Sequence, residues 1–142
     1  MIVRRSYYEA FPVLERMGKA NHEATEHPGV YVPQWSILEQ LEQSGALCTI
    51  VAVADGVAVG YCIHAAMRSH VTGELHATCL AIYLEPAHRG MAKALVREAE
   101  RHAKEAGCSA ISFSAPHLST AGAFFETAMG YGCRELVMEK RI

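Results

Sequence analysis

No two cysteines form a Cys-x-x-Cys pair, no apolar run reaches membrane-spanning length, and Lys and Arg nowhere gather into a basic field. Each absence removes a class. The five cysteines, Cys48, Cys62, Cys79, Cys108 and Cys133, are scattered and odd in number, so they cannot all close into intrachain disulfides, and reduced, mostly buried thiols are expected. A formal charge of −2, with basic and acidic residues interspersed, lacks the positive surface that counterion release on nucleic acid requires. Nucleic acid is therefore not expected as a partner. The opening Met1-Ile2-Val3-Arg4-Arg5 leads into polar and acidic positions and not into an apolar signal core, so a cytoplasmic protein without membrane association is expected.

Several site motifs are missing as well. The eight histidines form neither His-x-His nor His-Glu-x-x-His, and His27 follows His22-Glu23 one position too late for a shared helical face, so no metal site is expected. There is no Gly-x-x-x-x-Gly-Lys-Ser/Thr loop and no Gly-x-Gly-x-x-Gly turn, which argues against a P-loop or a dinucleotide fold. What is present is a balanced globular composition, 51% hydrophobic and 20% charged over 142 residues. That length suits one core, so residues 1–142 are expected to form a single domain.

Ser6 is placed to cap a helix from Tyr7 to about Ala20 with an apolar face of Tyr8, Phe11, Leu14, Met17 and Ala20. After the breaker His27-Pro28-Gly29, a second helix is expected over Gln34–Gln43 with Trp35, Leu38 and Leu41 inward. Leu47–Ala54 and Val57–Met67 are Val- and Ile-rich and flank Asp55-Gly56, the chemistry of a tight hairpin. A third strand, Glu74–Leu84, is stopped by Pro86. From near Arg89 the period changes: Met91, Leu95, Ala99 and Ala103 lie four apart, and Gly107 offers the cap. A short strand at Ala110–Ser114, a helix at Thr120–Met129 ended by Gly130, and a last strand at Arg134–Lys140 complete the reading. This order predicts a mixed sheet of α/β class.

The chemistry is concentrated at Ile82-Tyr83-Leu84-Glu85-Pro86-Ala87-His88-Arg89-Gly90-Met91-Ala92-Lys93-Ala94, where a strand turns through a basic loop into a helix of small residues. First-turn amides of a helix lack internal partners, and Gly90, Ala92 and Ala94 leave room for a pyrophosphate to reach them. An isolated Arg-Gly can also do no more than turn the chain.

In this order of elements the segment resembles the coenzyme A motif of the Gcn5-related N-acetyltransferase (GNAT) superfamily, Gln/Arg-x-x-Gly-x-Gly/Ala. Two alignments are open: Ala87-His88-Arg89-Gly90-Met91-Ala92 keeps the first glycine, and Arg89-Gly90-Met91-Ala92-Lys93-Ala94 keeps the arginine. Phe124-Phe125-Glu126-Thr127-Ala128-Met129-Gly130-Tyr131 is similar to the family's Phe-Tyr-x-x-x-Gly-Phe ending. The resemblance implies a mainly antiparallel twisted sheet flanked by about four helices, and acetyl-CoA-dependent acetylation of a primary amine by direct attack. It implies pantetheine along Ile82, Tyr83 and Leu84, and phosphates at His88, Arg89, Gly90, Met91, Ala92, Lys93 and Ala94, with Ser114 and Ser119 as further coenzyme contacts. His76 falls where relatives carry a glutamate base, and by strand alternation it shares a face with Ile82 and Leu84; a half-buried strand histidine with no role fits equally. Glu74 is the substitute base. The usual acidic tyrosine is replaced by Glu126, Tyr131 suits the packed aromatic position after the glycine, and the general acid is unassigned. That departure keeps a non-catalytic acyl-CoA sensor or a structural protein open as the rival reading, and the resemblance leaves the amine acceptor and a homodimer open too.

Overall fold

A computed structural model describes residues 1–142. Its sheet has five strands in the order β1-β2-β3-β4-β5: β1 Ile2–Arg5, β2 Leu47–Ala54, β3 Val57–Arg68, β4 Leu75–Leu84 and β5 Ala110–Ser112. All neighbours are antiparallel except β4 and β5, which run parallel. Four helices accompany it, α1 Tyr7–Ala24, α2 Trp35–Gln43, α3 Ala92–Glu105 and α4 Thr120–Ala123. This is the mixed, mainly antiparallel α/β fold that the sequence predicts. No helix is long and apolar enough to cross a membrane.

The hairpin forms where expected, with Asp55 and Gly56 both at positive φ (50° and 77°), the geometry that follows the strands' own twist. Ser6 caps α1 in a reciprocal capping box with Glu9. The expected face of α1 holds at Leu14 and Met17, which are buried, and at Phe11, which packs beside them, but its first turns bury Tyr7 and Ala10, while Tyr8 is 54% exposed and Ala20 is exposed too. With α2 the buried residues cover one side of the sheet, packing on Leu47, Val51, Tyr61 and Ile63. On the opposite side Leu95 and Ala99 of α3 pack on Cys48, Ile50, Cys62 and Leu84.

Four expectations are corrected. β1 has no counterpart in the sequence reading, because four residues are too few to show an alternating pattern; β2 holds it, and the chain's terminal ammonium adds a bond to Val53 O at 2.7 Å. The helix expected from near Arg89 starts at Ala92 instead, because Pro86–Met91 winds as a 3-10 segment. The helix after Ser119 is α-helical only to Ala123 and then widens into a π-turn over Phe124–Ala128. No final strand forms at 134–140: its three apolar residues, Leu136, Val137 and Met138, are 65–89% exposed. They sit between charged flanks, and the only open partner on that side, β5, is three residues long, too little to offset the ordering cost.

One irregularity decides which side chains face which helix. Ile63 pairs with Ala81 while His64 pairs with Cys79, so Leu80 is an extra residue, a β-bulge in β4. Beyond it Ile82 and Leu84 pack on the α3 side, and Ala81 and Tyr83 on the α1 side.

Candidate functional site

The parallel ladder between β4 and β5 consists of His76↔Ala110, Ala77↔Ile111 and Thr78↔Ser112, and then stops. From Cys79 to Leu84 the β5-facing edge of β4 has no strand beside it, so its backbone groups are free to pair with something else. Parallel strands end at the same end of a sheet. The open edge of β4, the 3-10 segment that follows it, and the 113–119 loop after β5 therefore border one notch.

The 3-10 segment closes partly on itself, with His88 N–H donating to Glu85 O at 2.8 Å and Ala92 N–H to Arg89 O. No side chain caps either this segment or the start of α3. Arg89, Gly90, Lys93 and Ala94 are exposed, and His88, Met91 and Ala92 half-buried. A Cβ on Gly90 would meet nothing within 4 Å, and its φ is not left-handed, so nothing in the protein's own packing or backbone requires glycine there. The first turn of α3 holds Ala92, Lys93 and Ala94, the small end of the Arg89-to-Ala94 alignment, and has room in front of it. Arg16 of α1 fixes the approach to this loop through an ion pair with Glu85 at 3.7 Å.

His76 lies at the opposite end of β4, two residues before the parting of the strands, with its Nε2 3.5 Å from Glu74 Oε2. Its expected face is corrected by the bulge. His76 pairs with Met67, which shares parity with Tyr61 and Ile63 on the regular stretch of β3 after Gly60, so it belongs to the α1 side and not to the side of Ile82 and Leu84. Ser114 is exposed in the loop after β5. Ser119 caps α4, its hydroxyl accepting from Gly122 N–H at 3.1 Å, which leaves its proton and one lone pair for a ligand.

Tyr131 is not free to act as an acid. Its ring packs edge-on to Phe113 and Phe125, its N–H donates to Phe125 O, and its hydroxyl donates to Glu100 Oε1 at 2.8 Å. Burial, then the Glu100 carboxylate, raise its pKa above the ordinary phenol value. Glu126, at the position where the sequence resemblance calls for a tyrosine, is exposed.

On the α1 side, Tyr61 accepts a hydrogen bond from Asn21 Nδ2 at 3.0 Å, and burial pushes its phenol up to about 12. The α1–α2 connection is tied by His22 Nε2 to Gly29 O at 2.7 Å and by Gly29 N–H donating to His27 Nδ1 at 3.0 Å. Trp35 meets Phe11 edge-to-face at 5.4 Å, so it serves as a packing anchor.

Cys79, which from the sequence reads as a small hydrophobe opposite in parity to His76 and poorly suited to be a nucleophile, stands at the parting of β4 and β5 beside buried Cys62. The Cys62 thiol is held well above the usual value, first by its hydrogen bond with Cys79 and then by burial. Only the bulge brings Cys79 to that side, and nothing in the run Thr78-Cys79-Leu80-Ala81-Ile82 signals a bulge. No three His, Cys, Asp or Glu side chains are grouped so as to hold a metal ion.

No curated protein matches the chain in sequence. Its fold is shared with an aminoglycoside acetyltransferase from an uncultured soil metagenomic sample, solved with sisomicin, at a TM-score of 0.76 and 16% identity over 100% of this chain and 94% of that one. It is shared too with a ribosomal-protein-alanine N-acetyltransferase from Brucella melitensis biovar Abortus 2308, at a TM-score of 0.77 and 23% identity, covering 100% and 97%. The aminoglycoside N-acetyltransferase AAC(6')-Iy, solved with CoA, gives 0.70 and 21%, covering 100% and 98%. Residues 8–131 match the acetyltransferase (GNAT) family, and with the open strand edge running into an uncapped helix start they show that this chain belongs to that family of acetyl-CoA-dependent acyltransferases.

Proposed function

We propose that the protein transfers the acetyl group of acetyl-CoA to a primary amine by direct attack within a ternary complex. The observation that carries this reading is the uncapped first turn of α3, open in front of Gly90 and continuous with the unpaired edge of β4. Arg89 to Ala94, with His88, hold the pyrophosphate on backbone amides and positive charge. From there the pantetheine arm runs back along Leu84, Tyr83 and Ile82 as an added strand, and Ser114 and Ser119 bond to it from the β5 side.

The arm delivers the thioester to the parting at Thr78 and Cys79. His76 is two residues further along, about 7 Å at the rise of a strand. Because it faces the α1 side, the amine enters from there, between the sheet and the α1–α2 connection, while the coenzyme enters from the sheet edge. A free amine with a pKa near ~10 is protonated at neutral pH and has no lone pair to offer. Neutral His76, oriented by Glu74, takes its proton; the nitrogen attacks the carbonyl carbon, a backbone N–H of the open β4 edge beside the thioester bonds the developing oxyanion, and the C–S bond breaks. The coenzyme thiolate, with an unperturbed pKa near ~8.5, leaves without needing a strong acid. The acceptor is a small amine, a peptide N-terminus or a lysine; the neighbours in fold are acetyltransferases of an aminoglycoside and of a ribosomal-protein alanine. Five free thiols suit a reducing, cytoplasmic setting.

Calorimetric titration with acetyl-CoA, then a thiol-release assay over amines of these three kinds, tests the reading. Binding with turnover on at least one amine supports it. Binding without turnover on any amine assigns the protein as an acyl-CoA sensor instead, and absence of binding overturns both.

A further inference from the structure

The two walls of the proposed coenzyme notch belong to different parts of the chain. One is β4 with the 3-10 segment and α3; the other is the 113–131 stretch, which carries Ser114 and Ser119. Directly between them, the backbone contributes only the three-pair β4–β5 ladder, which ends below the notch. Beyond it the walls are joined by one side-chain hydrogen bond and by the packing of Phe113 on the cluster that holds Leu84, Leu95 and Ala99, while the 113–131 wall is held together within itself by an aromatic stack. Tyr131 Oη donates to Glu100 Oε1 at 2.8 Å, and Glu100 is on α3, eight residues on from Ala92, where that helix starts. Phe113 stacks on Phe125 with centroids 4.7 Å apart, and Tyr131 closes the group edge-on.

A neutral stack of rings can slide, whereas a hydrogen bond to a carboxylate in a half-buried setting fixes one distance and one direction. We infer that Glu100 is a positioning residue for the coenzyme site: by holding Tyr131 it pins the 113–131 wall to α3 and sets the width of the notch. This rests on the coenzyme site proposed above.

Tyr131→Phe removes the tie and keeps the ring, so the stack and the fold persist. The dissociation constant for acetyl-CoA is expected to rise about tenfold, the size of one charge-assisted hydrogen bond, while the transfer rate at saturating acetyl-CoA changes by less than about twofold. Glu100→Ala should match it, the double variant should be no worse than either single one, and Glu100→Gln, which still offers an acceptor oxygen, should restore binding to within about threefold of the parent. Hydrogen exchange in the free protein reads the same tie without coenzyme: amides 113–123 should exchange faster in Tyr131→Phe and recover in Glu100→Gln. Unchanged acetyl-CoA binding in Tyr131→Phe, or additive losses in the double variant, would overturn the inference while leaving the proposed function standing. If the parent protein fails to bind acetyl-CoA at all, the function falls, and the positioning role falls with it.

Discussion

Cys79 and Ile82, three residues apart in β4, face the same helix, α3, because Leu80 is bulged out of the ladder with β3. Two consequences follow from that single extra residue. It moves His76 to the α1 face, away from the packed side of Leu84, and it coincides with the place where β4 and β5 part. The turn in the strand and the gap in the sheet are thus one feature. A coenzyme arm and an amine can meet there from opposite sides of the sheet without sharing an entrance.

His76 can therefore be tested apart from the coenzyme. His76→Ala is expected to lower the transfer rate by about 10²- to 10⁴-fold, the usual range for loss of a general base, with acetyl-CoA affinity unchanged by calorimetry. The His76 side chain is 43% exposed, so the thermal midpoint should move little. If coenzyme affinity falls and the rate at saturation does not, the base lies elsewhere, with Glu74 as the next residue to change.

How much of this was legible beforehand depended on the length of each pattern. Leu95, Ala99 and Ala103 repeat over three turns and announce α3; Asp55-Gly56 needs left-handed backbone and announces the hairpin. The motif around Arg89 is local and could be read directly. β1 is four residues long and exists only through its pairing with β2, so no internal period reveals it. The bulge at Leu80 sits in a run that is apolar on both faces, where alternation cannot register a slip. The 3-10 segment differs from an α-helix by the closing of each turn one residue earlier, which Pro86-Ala87-His88-Arg89-Gly90-Met91 does not encode in its apolar spacing. Arg134–Lys140 shows the reverse error: a β-like composition without a partner long enough to hold it.

Gly90 separates binding from folding. Open space around its Cβ position and a φ outside the left-handed region mean that Gly90→Ala should leave the thermal midpoint unchanged or slightly higher. Gly90→Glu places a carboxylate where the phosphates would lie, and acetyl-CoA binding should weaken by at least about a hundredfold with the fold intact by circular dichroism. An equal affinity in both variants would move the phosphate site away from this loop.

Gly60 makes the opposite case. A Cβ there would lie 2.5 Å from Tyr83 O and 3.1 Å from Leu84 Cα, backbone atoms that cannot rotate away, and 2.6 Å from Leu84 Cδ2. Gly60→Ala is expected to destabilise the protein by about 1–3 kcal/mol, the range for overpacking. Because the displaced residues form the open edge of β4, acetyl-CoA affinity should fall with stability, as read by denaturation and calorimetry together. Loss of stability with unchanged affinity would show that the arm does not lie along Tyr83 and Leu84.

The last prediction concerns acid. His64 is 3% exposed between β3 and α3, and neither ring nitrogen has a hydrogen-bond partner. Burial, followed by the nearby charges of His102 and Arg4, lowers its pKa from 6.5 to about 4. The unfolded chain therefore binds a proton at this side chain that the folded protein refuses throughout that interval. Stability is retained above pH 6.5 and is lost as pH falls towards 4, by up to about 3 kcal/mol from this group alone. His102, facing it from α3, also has a lowered pKa, caused first by burial, and it is flanked by Glu98, Arg101 and Glu105. Replacing His64 by Leu removes the titrating group and keeps an apolar filling. Urea midpoints measured from pH 7 to pH 4 should fall more steeply in the parent than in His64→Leu. Parallel curves would mean that water reaches the ring and that α3 is not sealed against β3 at its C-terminal half.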